Sequence, residues 1–244
     1  MCGFLYNVSD FSLLAPLLEI AGYDKQQLRD LIGHKQLRPT DTLVNLIPSR
    51  QGLRLLGATW WLATHVDGRP NAALATFNAR AAKLTTSALH LSSPRSIRSV
   101  VVASGFCEWQ PIYKGDLLHS QLPGVATATR LPKAKRKQQF LIEHRDNPLL
   151  LLGAVSKLRL DASGQPKVNT ALITLPPHAD FVDIHHKSFP LVLNPDELLN
   201  WLDPSVPMHR FGDLLCQTRF RHAFRVTPVD ANLHQTGPAT VINS

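Results

Sequence analysis

The 244-residue sequence predicts a single α+β domain, and three observations carry that reading. From Leu43 to Leu175 apolar residues recur with the two-residue period of strands. Helical spacing is confined to the two ends, over Asp10–Gly22, Lys25–Ile32 and the stretch after Pro195. No repeat of fixed period and no linker-like segment divides the chain.

The elements follow in order. Asp10 is a helix-capping residue ahead of apolar positions at helical spacing, with Gly22 as the stop and Pro16 perturbing the first turns. Lys25–Ile32 reads as a second short helix. Strands are expected at Leu43–Ile47, Leu53–Trp61, Leu74–Asn78, Val100–Trp109, Phe140–Ile142, Leu149–Val155 and Val168–Leu175. After Pro195, Asp196 and Glu197 supply acidic first-turn residues to an apolar helix ended by Asp203-Pro204. Phe224–Val229 reads as a last strand. Ser120–Lys137, with Pro123, Gly124, Arg130, Lys133, Lys135, Arg136 and Lys137, reads as an exposed basic loop: either a solvated connection or an arm that contacts phosphates.

Composition narrows the function classes. With 44% apolar and 18% charged residues, the chain is neither disordered, collagen-like nor a coiled coil. The apolar stretch Phe11–Ala21 contains Ser12 and Glu19, has no basic leader and is shorter than the roughly 20 residues of a membrane span. A cytoplasmic protein with no membrane partner is therefore expected. Cys2, Cys107 and Cys216 are odd in number and form no CxxC pair, which argues against a disulfide scaffold or zinc site, and no metal or organic cofactor is indicated. An excess of 26 Lys and Arg over 18 Asp and Glu, +8 in all, suggests a polyanionic partner.

Four motifs carry chemistry. In Met1-Cys2-Gly3, removal of Met1 leaves Cys2 with adjacent amine and thiol nucleophiles, able to attack an amide or to condense with an aldehyde and close a five-membered ring. In Thr76-Phe-Asn78-Ala-Arg80, strand alternation presents an amide and a guanidinium on one face, a pairing suited to a sugar-phosphate. In Ser104-Gly-Phe106-Cys-Glu108-Trp-Gln110, Glu108 is a lone carboxylate among apolar residues: a general acid or base if buried, a rim carboxylate paired with a cation if not. Cys107 reads as a packing residue. In Asp183-Ile-His185-His186, one histidine is a candidate proton shuttle. The chain contains no HExxH, P-loop, GxGxxG or GxSxG.

Together, Met-Cys-Gly, Asn-Ala-Arg, Gly-Phe-Cys-Glu-Trp and Asp-Ile-His-His resemble, in order and spacing, the motifs of the SRAP family, the SOS response-associated peptidases. Arg38-Pro-Thr and Thr59-Trp-Trp-Leu62 resemble weaker landmarks of that family. Its members include sensors of abasic sites in single-stranded DNA. The resemblance implies a mostly antiparallel, barrel-like central sheet with flanking helices, a basic groove, and single-stranded DNA containing abasic sites as the partner of a monomer. It implies that Cys2 forms a thiazolidine with the opened abasic sugar, that Asn78 holds the sugar or the Cys2 region, and that Arg80 binds a flanking phosphate. Glu108 then shuttles protons, and His185 assists sugar-ring opening. Trp60, Trp61 or Trp109 are candidates for stacking on bases, and Lys135, Arg136 and Lys137 for contacting the strand.

The chain departs from the family pattern at Ala82, where an acidic residue is common, at Phe4, where an arginine is common, and at Ile184–Pro190, one residue longer and with Lys187 in place of an arginine. Ile184 favours His185 as the functional histidine, whereas counting back from Pro190 favours His186. Two alternatives compete: a DNA-binding paralogue without crosslinking, and an N-terminal-nucleophile amidohydrolase, which also begins Met-Cys-Gly but leaves the Asn-Ala-Arg and Glu-Trp motifs unexplained.

Overall fold

Two hydrophobic clusters, one on each face of a curved sheet, organise the computed structural model, which describes residues 3–33, 35–65, 69–87, 96–122, 132–161, 163–216 and 221–243. In chain order the elements are β1 (Leu5–Tyr6), a 3-10 turn (Phe11–Leu14) running into α1 (Ala15–Leu18), β2 (Ala21–Tyr23), α2 (Lys25–Leu31), β3 (Gln36–Leu37), β4 (Thr42–Ser49), β5 (Gly52–Thr59) and β6 (Asn78–Arg80). There follow β7 (Ser96–Ala103), β8 (Gly105–Ile112), β9 (Arg136–His144), β10 (Leu150–Leu160), β11 (Pro166–Leu175), β12 (Phe189–Pro190) and β13 (Val192–Leu193). The last are α3 (Leu198–Leu202), α4 (Gly212–Leu215), β14 (Phe224–Val229) and β15 (Thr240–Ile242).

Strands β11, β10, β7, β4 and β5 pair antiparallel in that order, and Asn169 of β11 returns to Thr59 of β5, closing a five-strand barrel. The expected α+β fold with a mostly antiparallel, barrel-like sheet and short flanking helices is what the chain adopts. A second sheet runs β15-β14-β9-β8-β1-β3. Strand alternation divides the core between them: Val44, Leu46, Val100 and Val102 pack with Leu17, Leu28, Leu198 and Trp201 of the helices. Leu43, Val101 and Ala103 instead meet Phe106, Ile142 and Phe224 of the second sheet. The site lies along this second cluster.

The structure revises several boundaries. Pro16 sits in the first turn of α1, which ends at Leu18, and Gly22 belongs to strand β2 rather than stopping a helix. The expected strand Leu74–Asn78 is replaced by β6, three residues paired parallel with β11. Val100–Trp109 is not one strand. It breaks at Ser104, whose N–H donates to the Tyr6 carbonyl at 2.9 Å, so that β7 serves the barrel and β8 the second sheet. Gly105 permits the crossing, because a Cβ there would stand 2.8 Å from the Ile142 carbonyl oxygen. The basic loop is shorter than expected: Arg136 and Lys137 already belong to β9, while residues 123–131 lie outside the described set.

Candidate active site

Glu108 is brought to its partner by the alternation of β8. Phe106 and Glu108 share the face that looks onto the second cluster, where Phe106 packs with Phe181, Ile184 and Phe189. Cys107 turns the other way, against Leu141 and Val229, where burial pushes its thiol up to about 12 and leaves it inert. All three residues are buried, Glu108 at 3% exposure, on a strand held between β1 and β9 in the second sheet. The rim reading of Glu108 is thereby excluded.

A 3-10 turn at Ala179–Phe181 then delivers the histidine. The N–H groups of Ile184 and His185 both donate to the Phe181 carbonyl, at 3.0 and 2.7 Å, and Ile184 anchors the turn in the core. His185 Nδ1 lies 2.9 Å from Glu108 Oε2. The other carboxylate oxygen, Oε1, is buried with no hydrogen-bond partner among the described residues. A sequestered carboxylate with one oxygen on an imidazole and one open has the geometry that general acid–base chemistry requires. The structure thus sets His185, rather than His186, on the carboxylate.

Strand β1 sets the course of the N-terminal segment. Leu5 pairs with Phe106 in antiparallel register, and the Cys107 N–H donates to the Phe4 carbonyl at 2.9 Å. Read backwards from Leu5, the chain through Phe4 to Gly3 therefore runs along β8 in the direction of Glu108. Cys2 lies outside the described residues.

On β6 the expected alternation holds: Ala79 is buried, Asn78 half-buried and Arg80 exposed. Phe77, just before it, packs against the same cluster as Phe106 and Ile184, so this strand and the Glu108–His185 pair flank one core. Arg80 and Lys187 line a groove of about 560 Å³ floored by Ala81, Ala82, Leu175, Pro176 and Pro177. Ala82, with no carboxylate, leaves it open. Ser188, also lining it, is 8% exposed, and its hydroxyl has no partner among the described residues.

The model of the SOS response associated peptidase (SRAP) family matches residues 1–236. The chain belongs to the SRAP family. A similar fold occurs in a protein from Bacteroides thetaiotaomicron, 15% identical, with a TM-score of 0.71 over 95% of this chain and 93% of that one. A protein from Bordetella bronchiseptica is 13% identical, with a TM-score of 0.66 over 94% of this chain and all of the other. A phage-related protein from the same organism is 20% identical, with a TM-score of 0.63 over 93% and 94%. None of the curated proteins is a detectable sequence relative.

Within the SRAP fold the remaining expected residues separate. Trp60 is fully buried, its indole N–H donating to the Phe77 carbonyl at 2.8 Å, so it is a core residue that no base can reach. Trp61 is half-buried, donates to the Asn71 carbonyl and lies 5.7 Å from the Phe77 ring. Trp109 stands edge-on to Phe4 at 4.6 Å, with the Arg38 guanidinium 5.0 Å above Phe4. Lys135 and Arg136 lean on Asp116, at 3.9 and 3.6 Å, and Lys137 is exposed on β9. No local pattern marks His119, which only tertiary packing brings onto His186. No helix among the described residues is long and apolar enough to cross a membrane.

Proposed function

We propose that this SRAP-family protein senses abasic sites in single-stranded DNA and captures them covalently on Cys2, shielding the lesion. Loss of Met1 frees the Cys2 amine, which adds to the aldehyde carbon of the ring-opened sugar to form a carbinolamine. Protonation of the carbinolamine oxygen expels water and leaves an imine. The thiol sulfur then bonds to the imine carbon as its proton passes to nitrogen, so that aldehyde and aminothiol yield a thiazolidine and one water, with no redox change.

The observation that carries this reading is the buried Glu108–His185 pair at 2.9 Å, beside the strand register that leads the N-terminal segment toward Glu108. Each step moves a proton, and this pair can give and take one without bulk water. In this reading His185 assists opening of the sugar ring, and Asn78 steadies the opened sugar or the Cys2 segment. Arg80 and Lys187, cations at a groove without a carboxylate among its lining residues, take the flanking phosphates. Lys135, Arg136 and Lys137 extend the positive surface along which the strand lies.

The test uses the Met1-processed protein, single-stranded DNA with one abasic site, intact DNA and the Cys2→Ala variant on a denaturing gel. The expected result is a slow band that requires both Cys2 and the abasic site, with a mass equal to protein plus DNA less one water. A band that survives Cys2→Ala refutes the Cys2 assignment. No band, with a free N-terminal cysteine verified by mass spectrometry, favours the non-crosslinking paralogue.

A further inference from the structure

Beside the catalytic pair lies a second histidine contact that its chemistry does not require. His186 lies flat on His119, with ring centroids 4.2 Å apart and planes 5° from parallel. His119 belongs to a 3-10 turn, His119–Gln121, far along the chain from the Asp183–His186 motif, and is more than nine-tenths buried. The next residue makes the same connection. Ser120 donates its backbone N–H to Asp183 Oδ1 at 2.7 Å and its hydroxyl to Asp183 Oδ2 at 2.8 Å.

The two contacts therefore grip the histidine turn on both sides of Ile184–His185: Asp183 through Ser120, and His186 through His119. A stack of two imidazoles is tolerated best when neither ring is charged. His186 meets that condition, held down to about 4 chiefly by burial. The Nδ1 atoms of His119 and His186 are both buried with no hydrogen-bond partner among the described residues, so the contact between the rings is one of faces rather than of a hydrogen bond through those nitrogens.

We propose that His119 is a positioning residue for the Glu108–His185 pair: by stacking on His186, and with Ser120 clamping Asp183, it holds the His185 imidazole on Glu108 Oε2. The inference rests on the reading that this pair moves the protons of capture. His119 touches neither Glu108 nor substrate in this scheme; it acts through the turn. Sub-ångström looseness in such a pair is costly, since a displacement of about 1 Å at a catalytic group lowers rates by as much as roughly a hundredfold.

Three variants test this, His119→Ala, His119→Phe and Asp183→Ala, each with two readouts. The first, in the free protein without DNA, is the downfield proton resonance of the His185 Nδ1–H bonded to Glu108. The second is the single-turnover rate of capture on abasic single-stranded DNA. In His119→Ala and Asp183→Ala the resonance should broaden or vanish and capture should slow by about tenfold or more. His119→Phe keeps a flat face against His186 and should restore the resonance, with capture within about threefold of the parent. An unchanged resonance and rate in His119→Ala overturns the proposal, and so does His119→Phe behaving like His119→Ala while melting as the parent does. If the parent protein captures nothing, the proposed function fails, and the resonance alone still decides whether His119 positions His185.

Discussion

Glu108 on β8 and His185 after the Ala179–Phe181 turn meet at 2.9 Å, although they come from separate segments, because Phe106 and Ile184, their neighbours in sequence, pack into one cluster. The contact is thus fixed by hydrophobic packing on both sides, and the pair is in place before any ligand arrives. Replacing the carboxylate by its amide keeps shape and burial but removes the ability to exchange a proton. Glu108→Gln is expected to slow capture by about a hundredfold or more, the usual worth of a general acid or base, with affinity for intact single strands nearly unchanged. Single-turnover crosslinking and fluorescence anisotropy separate the two quantities. An unchanged capture rate removes Glu108 from the chemistry.

The tryptophans differ in burial, which predicts a division between stability and binding. Trp60 is fully buried and its N–H satisfies the Phe77 carbonyl, so Trp60→Ala leaves a cavity and an unpaired buried acceptor. A loss of about 3–5 kcal/mol in urea unfolding is expected, as for other large core truncations. Trp109 is half-buried and forms, with Phe4 and Arg38, an aromatic and cationic ledge at the mouth of β1 and β8. Trp109→Ala should leave most of the stability and weaken single-strand binding by about 1–3 kcal/mol, the range for loss of one stacked base. Equal losses of stability in the two variants exclude this division.

How far the site was legible in the sequence depends on how local its cause is. Asn78 and Arg80 share a face because strand alternation is a two-residue property, and β6 preserves it although the strand begins at Asn78 rather than Leu74. Glu108 stood out as a carboxylate in an apolar run, but its burial, on the face of β8 that Phe106 turns to the second cluster, depends on tertiary packing that no local pattern states. The break at Ser104–Gly105 was invisible for the same reason: the run from Val100 to Trp109 is uniformly strand-like, and only the Tyr6 carbonyl and the approach of β9 divide it. Adjacent tryptophans likewise carry equal apolar signals, and tertiary packing alone buries Trp60 fully and Trp61 partly. Ile184, whose place in the core aims the turn, puts His185 rather than His186 against Glu108.

The groove lined by Arg80 and Lys187 predicts a salt signature. Arg80 and Lys187 are the cations lining it, and neither has an ion-pair partner among the described residues, so a bound phosphate displaces counterions from each. Removing either by Arg80→Ala or Lys187→Ala should lower the slope of log affinity against log salt by about 0.7 for a single strand, irrespective of base sequence. Arg136, already near Asp116 at 3.6 Å, should contribute less when replaced by Ala. Binding measured from low to moderate salt checks both statements, and an unchanged slope in Arg80→Ala takes the phosphate out of the groove.

Acid sensitivity should come in part from His222, which no step of capture uses. His222 is 6% exposed, its Nε2 is 3.2 Å from the Val192 carbonyl, and burial is the main reason it is pushed down to about 4 from the ordinary 6.5. The hydrogen bond to the Val192 carbonyl opposes this, as does Glu197, while the His144 ring, 5.4 Å away, and Arg221 add to the lowering. Above pH 6.5 the imidazole is neutral in folded and unfolded chains, and its contribution is complete. As pH falls from 6.5 toward 4, the unfolded chain takes up a proton that the folded one refuses, so stability declines at up to about 1.4 kcal/mol per pH unit for this group. His186, held near the same value, adds a decline of the same sign across the same window. His222→Gln removes one of these protons. Urea unfolding at intervals from pH 7 to 4 should therefore show a shallower loss for His222→Gln than for the parent, with the curves converging toward acid, whereas parallel curves place the acid sensitivity elsewhere.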